Sequence, residues 1–257
     1  MKNGYVRVLT LVIFMFLTST LTPLFAQNWE VGATLGGSLY NGDIPVVINT
    51  AADQMRFGGG VFVRHRLHYL FAIRAQINAG QLFADEKRFG SSDWKKLRGY
   101  SFLSPIYEIA LLPEIRPFRL GNIEPFGFIG VALAAFNPTT QYNEPNPIVD
   151  ATPDIQARIA ADKNANSPRT TIAIPIGGGF QWFINDRFAI GAEVSGRKTF
   201  TDYLDQISVA GSPKTKDYYF FGGLTLSFFF GDGNGFSNEW GRNGRKRGGG
   251  VRCPSFN

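Results

Sequence analysis

From Tyr218 to Phe230 the chain alternates with a period of two. Tyr218, Phe220, Gly222, Leu224, Leu226, Phe228 and Phe230 fall on one face, against Tyr219, Phe221, Gly223, Thr225, Ser227 and Phe229 on the other. That period predicts a strand. One face is apolar with aromatics at both ends and the other carries hydroxyls and glycines, which suits a strand with lipid outside and a packed, polar-tolerant interior. The pattern recurs in Trp29 to Tyr40, Arg56 to Leu67, and Tyr69 to Ala79, where Tyr69, Phe71, Ile73, Ala75, Ile77 and Ala79 oppose Arg74, Gln76 and Asn78. It continues in Tyr100 to Arg116, Thr170 to Ile184 and Phe188 to Phe200, while Glu124 to Phe136 is apolar on both faces and leaves its own register open.

These eight strands are joined by connections that alternate in length. The joints around His68, Pro117 to Asn122, and Asn185-Asp186-Arg187 are short, and the four others are longer and polar. In an antiparallel meander this puts every short turn on one rim and every long loop on the other. Each predicted strand has enough residues, at roughly 3.3 Å apiece, to cross an apolar band of about 25 Å. The fold class is therefore all-β: an eight-stranded antiparallel transmembrane β-barrel of outer-membrane type, of the small OmpA and OmpX size. Both barrel ends are expected at the short-turn rim, in the periplasm, with the long loops outside the cell.

Charge placement follows the same alternation. Glu30, Arg56, Arg64, Arg74, Glu108, Glu114, Glu193 and Arg197 fall on the inward side. A lysine or arginine facing lipid would cost about 2 to 4 kcal/mol at the midplane. Four acids and four bases can pair in a lumen that eight strands leave just wide enough for side chains. That argues against a conducting pore and gives these residues the role of filling and rigidifying the barrel.

The N-terminus sets the compartment. Lys2 and Arg7, an apolar run from Val8 to about Leu17, and Leu24-Phe25-Ala26 before Gln27 predict a secretory signal over residues 1–26, cleaved after Ala26. Its removal takes the formal charge from +6 to about +4. One cysteine in an exported chain rules out a disulfide scaffold, and 30 glycines with 24 phenylalanines favour strands and tight turns. The barrel then occupies residues 27–230. Its longest loop, Asn137 to Arg169, predicts one short helix from Thr152 as N-cap, Pro153 in the first turn, and Asp154 to Asp162.

Residues 231–257 form a basic, glycine-rich tail carrying Arg242, Arg245, Lys246, Arg247 and Arg252, with few apolar groups to bury. It reads either as a solvated extension or as a segment that orders on a periplasmic partner, with Trp240 and Phe256 as anchors. Cys253 has no intramolecular partner, which suggests an intermolecular disulfide or a sheltered thiol. Nucleic acid is excluded as a partner by compartment.

Glu30-Val31-Gly32, Gly36-Gly37, Tyr40 and Asn41-Gly42-Asp43-Ile44, with the terminal Arg252-Cys253-Pro254-Ser255-Phe256, resemble the small PorG-like outer-membrane barrels of Bacteroidetes. Those barrels belong to the type IX secretion and gliding machinery. The resemblance implies contact, from the periplasmic side, with a PorK or GldK-like lipoprotein and a PorN or GldN-like ring protein. Carried onto this chain, it makes Arg252, Cys253, Pro254 and Phe256 the docking contact; the long Gly and Arg insertion before them departs from the family pattern. Within Tyr40, Gly42 and Asp43, the Gly-Asp step reads first as a turn-former whose carboxylate bonds local backbone N–H groups.

Other functions can be weighed against the reactive groups. Only His65 and His68 could act as histidine bases, and both fall at a short turn, far from the outer rim where an outer-membrane hydrolase would work. Glu108 and Glu193 could be paired carboxylates, but a closed lumen would keep bulky substrates from them. Neither a metal site nor a cofactor is expected. The second reading is a free-standing OmpX-like surface adhesin working through its loops. Lys87, Arg88, Lys95 and Lys96 in the Asp85 to Arg98 loop could face lipopolysaccharide phosphates.

Overall fold

The computed structural model describes residues 28–42, 51–90, 96–97, 99–141, 153–165, 169–201, 203–207 and 217–230. The predicted signal, Asp43 and the tail lie outside them. The strands are β1 (Trp29–Asn41), β2 (Arg56–Arg66), β3 (Phe71–Asp85), β4 (Ser101–Ile115), β5 (Ile123–Ile129), β6 (Val131–Phe136), β7 (Thr139–Gln141), β8 (Thr170–Phe183), β9 (Phe188–Thr199) and β10 (Tyr218–Phe230). The helices α1 (Ala51–Gln54), α2 (Glu86–Phe89) and α3 (Pro153–Asn164) decorate one rim. No helix among the described residues is long and apolar enough to cross a membrane.

All pairings are antiparallel, and the sheet closes on itself. β1 pairs with β2 and β10, β3 with β2 and β4, and β9 with β8 and β10, while β5 and β6 bridge β4 to β8. The ring has eight walls because β5 and β6 act as one. Glu114 faces Phe128 and Leu111 faces Val131 in the same register, and only Gly130 breaks the ladder. The partner strands give the reason: Pro175 lies opposite Gly130 on β8 and Pro113 opposite the neighbouring Ile129 on β4, and neither has an N–H to donate. The Gly130 N–H still reaches the Pro175 carbonyl at 3.0 Å.

The short rim is built from tight turns. Leu120 and Ile123 bond each other around Gly121-Asn122, and Gly121 takes a φ of +59°, the glycine-first pattern of a two-residue hairpin. At 184–187 the Asn185 side chain accepts from the N–H groups of Arg187 and Phe188, both at 2.8 Å. Strand three begins at Phe71, two residues later than its alternation predicts, because Leu67 and His68 bond back to Phe71 and draw Tyr69 into the turn.

The outward positions are apolar around the whole ring. Val61, Ile77, Ile109, Leu133, Ile176, Val194 and Leu224 all stand exposed, Leu224 at 71%. In water such a belt would drive aggregation, and in a bilayer it is the surface that a barrel requires. Aromatic rings cluster at its edges: Trp29, Tyr69, Phe71, Trp182, Phe188 and Phe230 near the short turns, and Phe57, Phe200, Tyr218 and Phe220 near the long loops. The predicted helix in the longest loop is present as α3, two residues longer at its C-terminal end.

Candidate functional site

Inside the ring every wall strand contributes a polar or charged group, and these interlock across the lumen. Glu114 of β4 is the hub: its Oε2 lies 2.8 Å from Arg64 Nε and 3.3 Å from Arg116 Nη2, and its Oε1 lies 2.9 Å from Arg74 Nε. Arg64 also pairs with Glu30 of β1, and Arg74 crosses from β3 to Glu193 of β9 at 2.6 Å. Arg66 and Arg116 share Glu124 Oε2 at 2.8 and 2.6 Å. Gln181 of β8 ties the layers together, donating to Glu30 at 2.7 Å and accepting from Arg116 at 3.0 Å.

A second knot lies nearer the long loops. Glu108 accepts from Arg197 Nε at 3.2 Å, Tyr219 Oη at 2.7 Å and Asn78 Nδ2 at 2.9 Å. Aromatic rings fill the remaining space: Arg74 lies 4.5 Å from the Phe128 centroid and Arg197 4.7 Å from that of Phe221. Five arginines thus meet five glutamates, all buried but the half-buried Glu193, so each charge has a partner in the low-dielectric interior.

Glu30, Arg64, Arg74, Glu108, Glu193 and Arg197 are therefore brought together as the alternation predicts. Arg56 is the exception among the inward positions. At the rim its side chain swings onto the Phe83 ring at 3.9 Å, and its Nη1 donates to the carbonyls of Asp53 and Met55. Glu108 and Glu193 bond different arginines, so they form no carboxylate pair. Sequence reasoning missed Arg66, Arg116, Glu124 and Gln181, although Arg66 and Arg116 each sit two residues beyond an inward charge.

Among the described residues, packed side chains lie across both mouths. At the short-turn end Phe183 and Phe229 pack at 5.4 Å, with Arg119 3.9 Å from the Phe183 centroid. At the other end Ile159 of α3, with Leu204 and Ile207, packs into a buried cluster with Tyr40, Leu82, Tyr100 and Phe102. The Tyr40 hydroxyl lies between Asp205 and Asp217, at 2.7 and 2.5 Å. These carboxylates in turn accept from the N–H groups of Ile207 and Leu204, pinning the 203–207 segment over the barrel. Gly42 is required by this packing: a Cβ there would stand 2.0 Å from Tyr40 Oη and 2.1 Å from Asp217 Oδ1. That is a steric reason distinct from turn formation, and Asp43 lies outside the described residues.

His65 packs on Trp29 with ring centroids 4.4 Å apart, and His68 Nδ1 accepts from the Leu70 N–H, so both serve the short-turn rim. Among the described residues no three His, Cys, Asp or Glu side chains are placed to hold a metal. Trp240, Arg252, Cys253, Pro254 and Phe256 lie outside the described residues.

A closed eight-stranded antiparallel ring with an apolar exterior and a charge-filled interior defines a small transmembrane β-barrel of the outer-membrane type. The chain belongs to the family described as a domain of unknown function, DUF6089, whose model matches residues 6–239. No curated protein matches it. Among solved structures, a major outer membrane protein of Thermus thermophilus is similar at 12% identity and a TM-score of 0.44, over 78% of this chain and 98% of that one. Ail of Yersinia pestis, solved with the heparin analogue sucrose octasulfate, is similar at 10% identity and 0.39, over 79% and 97%. Neisserial surface protein A is similar at 9% identity and 0.40, over 78% and 94%.

Proposed function

We propose that the chain is a non-catalytic outer-membrane anchor that docks the periplasmic ring of a type IX secretion machine. The observation that carries this reading is the sealed lumen. Among the described residues, five arginines and five glutamates fill the interior and apolar clusters pack at both mouths, which assigns the work to the rims and tail rather than to a passage through the lumen. The short-turn rim faces the periplasm and the long loops face outward. The PorG-like residues Arg252 to Phe256 follow β10, whose last residue, Phe230, is at the short-turn rim. On this reading they meet a PorK or GldK-like lipoprotein and a PorN or GldN-like ring protein. Cys253 forms the covalent part of that contact, with Trp240 and Phe256 as apolar anchors.

The test is a non-reducing gel of outer membranes from cells carrying the native chain or Cys253→Ser, with affinity purification of what co-migrates. A reducible higher band containing a periplasmic lipoprotein, lost in the variant, is expected. Monomer alone in both, with nothing recovered through the tail, would remove docking. The surface-adhesin reading would then take its place, favoured by the ordered cap that α3 and residues 203–207 build at the long-loop rim.

A further inference from the structure

The outer wall is not uniformly bulky. Around β1, β2 and β3 it is recessed into a groove of about 620 Å³ lined by Leu35, Phe57, Gly59, Ala79, Gln81 and Tyr107. The recess arises because Gly59 faces Ala79 across the β2 and β3 ladder, so two strands present almost no side chain where their neighbours present Leu35 and Tyr107. It runs toward the long-loop rim, roughly 13 Å along the strand from Ile77 to Gln81 at 3.3 Å per residue.

Above it the surface turns basic. Arg56 lies 3.9 Å from the ring centroid of the outward-facing Phe83, two residues beyond Gln81, and among the described residues it commits its Nη1 to backbone carbonyls, with Nε and Nη2 left for a ligand. Lys87 and Arg88 of α2 follow directly and are exposed. Among the described residues the acids nearby do not cancel them: Asp85 is engaged by the N–H groups of Lys87 and Arg88, and Glu86 is buried, which leaves the exposed Asp53 against three cations.

An apolar groove sized for hydrocarbon and continued by cations at the membrane edge is complementary to one kind of molecule, an anionic headgroup on acyl chains. We infer that this face is a binding site for a phosphorylated, multiply acylated glycolipid of the lipid A type, its phosphate held by Arg56, Lys87 and Arg88 and an acyl chain lying in the Gly59 and Ala79 groove. Guanidinium and ammonium groups at a bilayer edge bind phosphate by charge-assisted hydrogen bonds. The groove supplies shape for the chain.

The full chain, reconstituted into phosphatidylethanolamine nanodiscs doped with bisphosphorylated hexa-acyl lipid A, would be released and weighed by native mass spectrometry. The native protein is expected to retain one lipid A in preference to phosphatidylethanolamine. The combined Arg56→Gln, Lys87→Gln and Arg88→Gln variant should lose about tenfold in retention through its missing phosphate contacts. Ala79→Phe, which fills the groove from a lipid-facing position, should lose retention while keeping the basic rim. Equal retention by all three proteins, no preference over phosphatidylethanolamine, or displacement of lipid A by millimolar inorganic phosphate would overturn the assignment.

Discussion

Glu114→Ala is expected to lower the stability of the folded barrel by about 3 to 5 kcal/mol, the cost of leaving buried charges without their partner. Glu114 is bonded at once to Arg64, Arg74 and Arg116, and removing it leaves five guanidiniums facing four carboxylates in a space water cannot easily enter. Replacing a whole buried network by apolar groups can be neutral, so the penalty belongs to the one-sided removal. The measurement is a urea titration in lipid vesicles, read by the mobility shift of folded barrel on unheated gels. A loss under about 1 kcal/mol would mean that the lumen is wet and the pairs are screened.

The second large effect is on the opposite face of the wall. Leu224 sits at the centre of β10 and is 71% exposed, so Leu224→Arg should cost about 2 to 4 kcal/mol in the same titration, the penalty for a guanidinium at the bilayer midplane. An unchanged midpoint would show that this stretch of wall meets water or a protein partner.

The alternation that predicts the strands is legible because lipid on one side and a packed lumen on the other enforce a period of two on every wall. Where the lumen itself is apolar, the signal fades. Phe126, Phe128 and Phe136 point inward against arginines and the cap, so β5 and β6 look apolar on both faces and mask the inward Glu124 at the start of β5. Arg116, the last residue of the predicted strand, stands one residue past the end of β4, where parity still directs it inward. Arg56 shows the converse: inward parity fails at the rim, where a long side chain is free to swing onto Phe83. The cap is out of reach of the sequence, since Tyr40 meets Asp205 and Asp217 across 165 and 177 positions of chain and no local pattern encodes that contact. Gly42 is readable only once that cap is in place.

A barrel whose lumen is filled and which acts at its surfaces should pass no current. Single-channel recording of the purified full chain in planar bilayers tests this directly. Insertion confirmed by protein recovery, with the current staying at the bare-bilayer baseline at both polarities, is the result expected of a lumen closed by the Glu114 network, the Phe183 and Phe229 pair and the α3 cap. Reproducible conductance steps that scale with protein would contradict it and make the chain a channel.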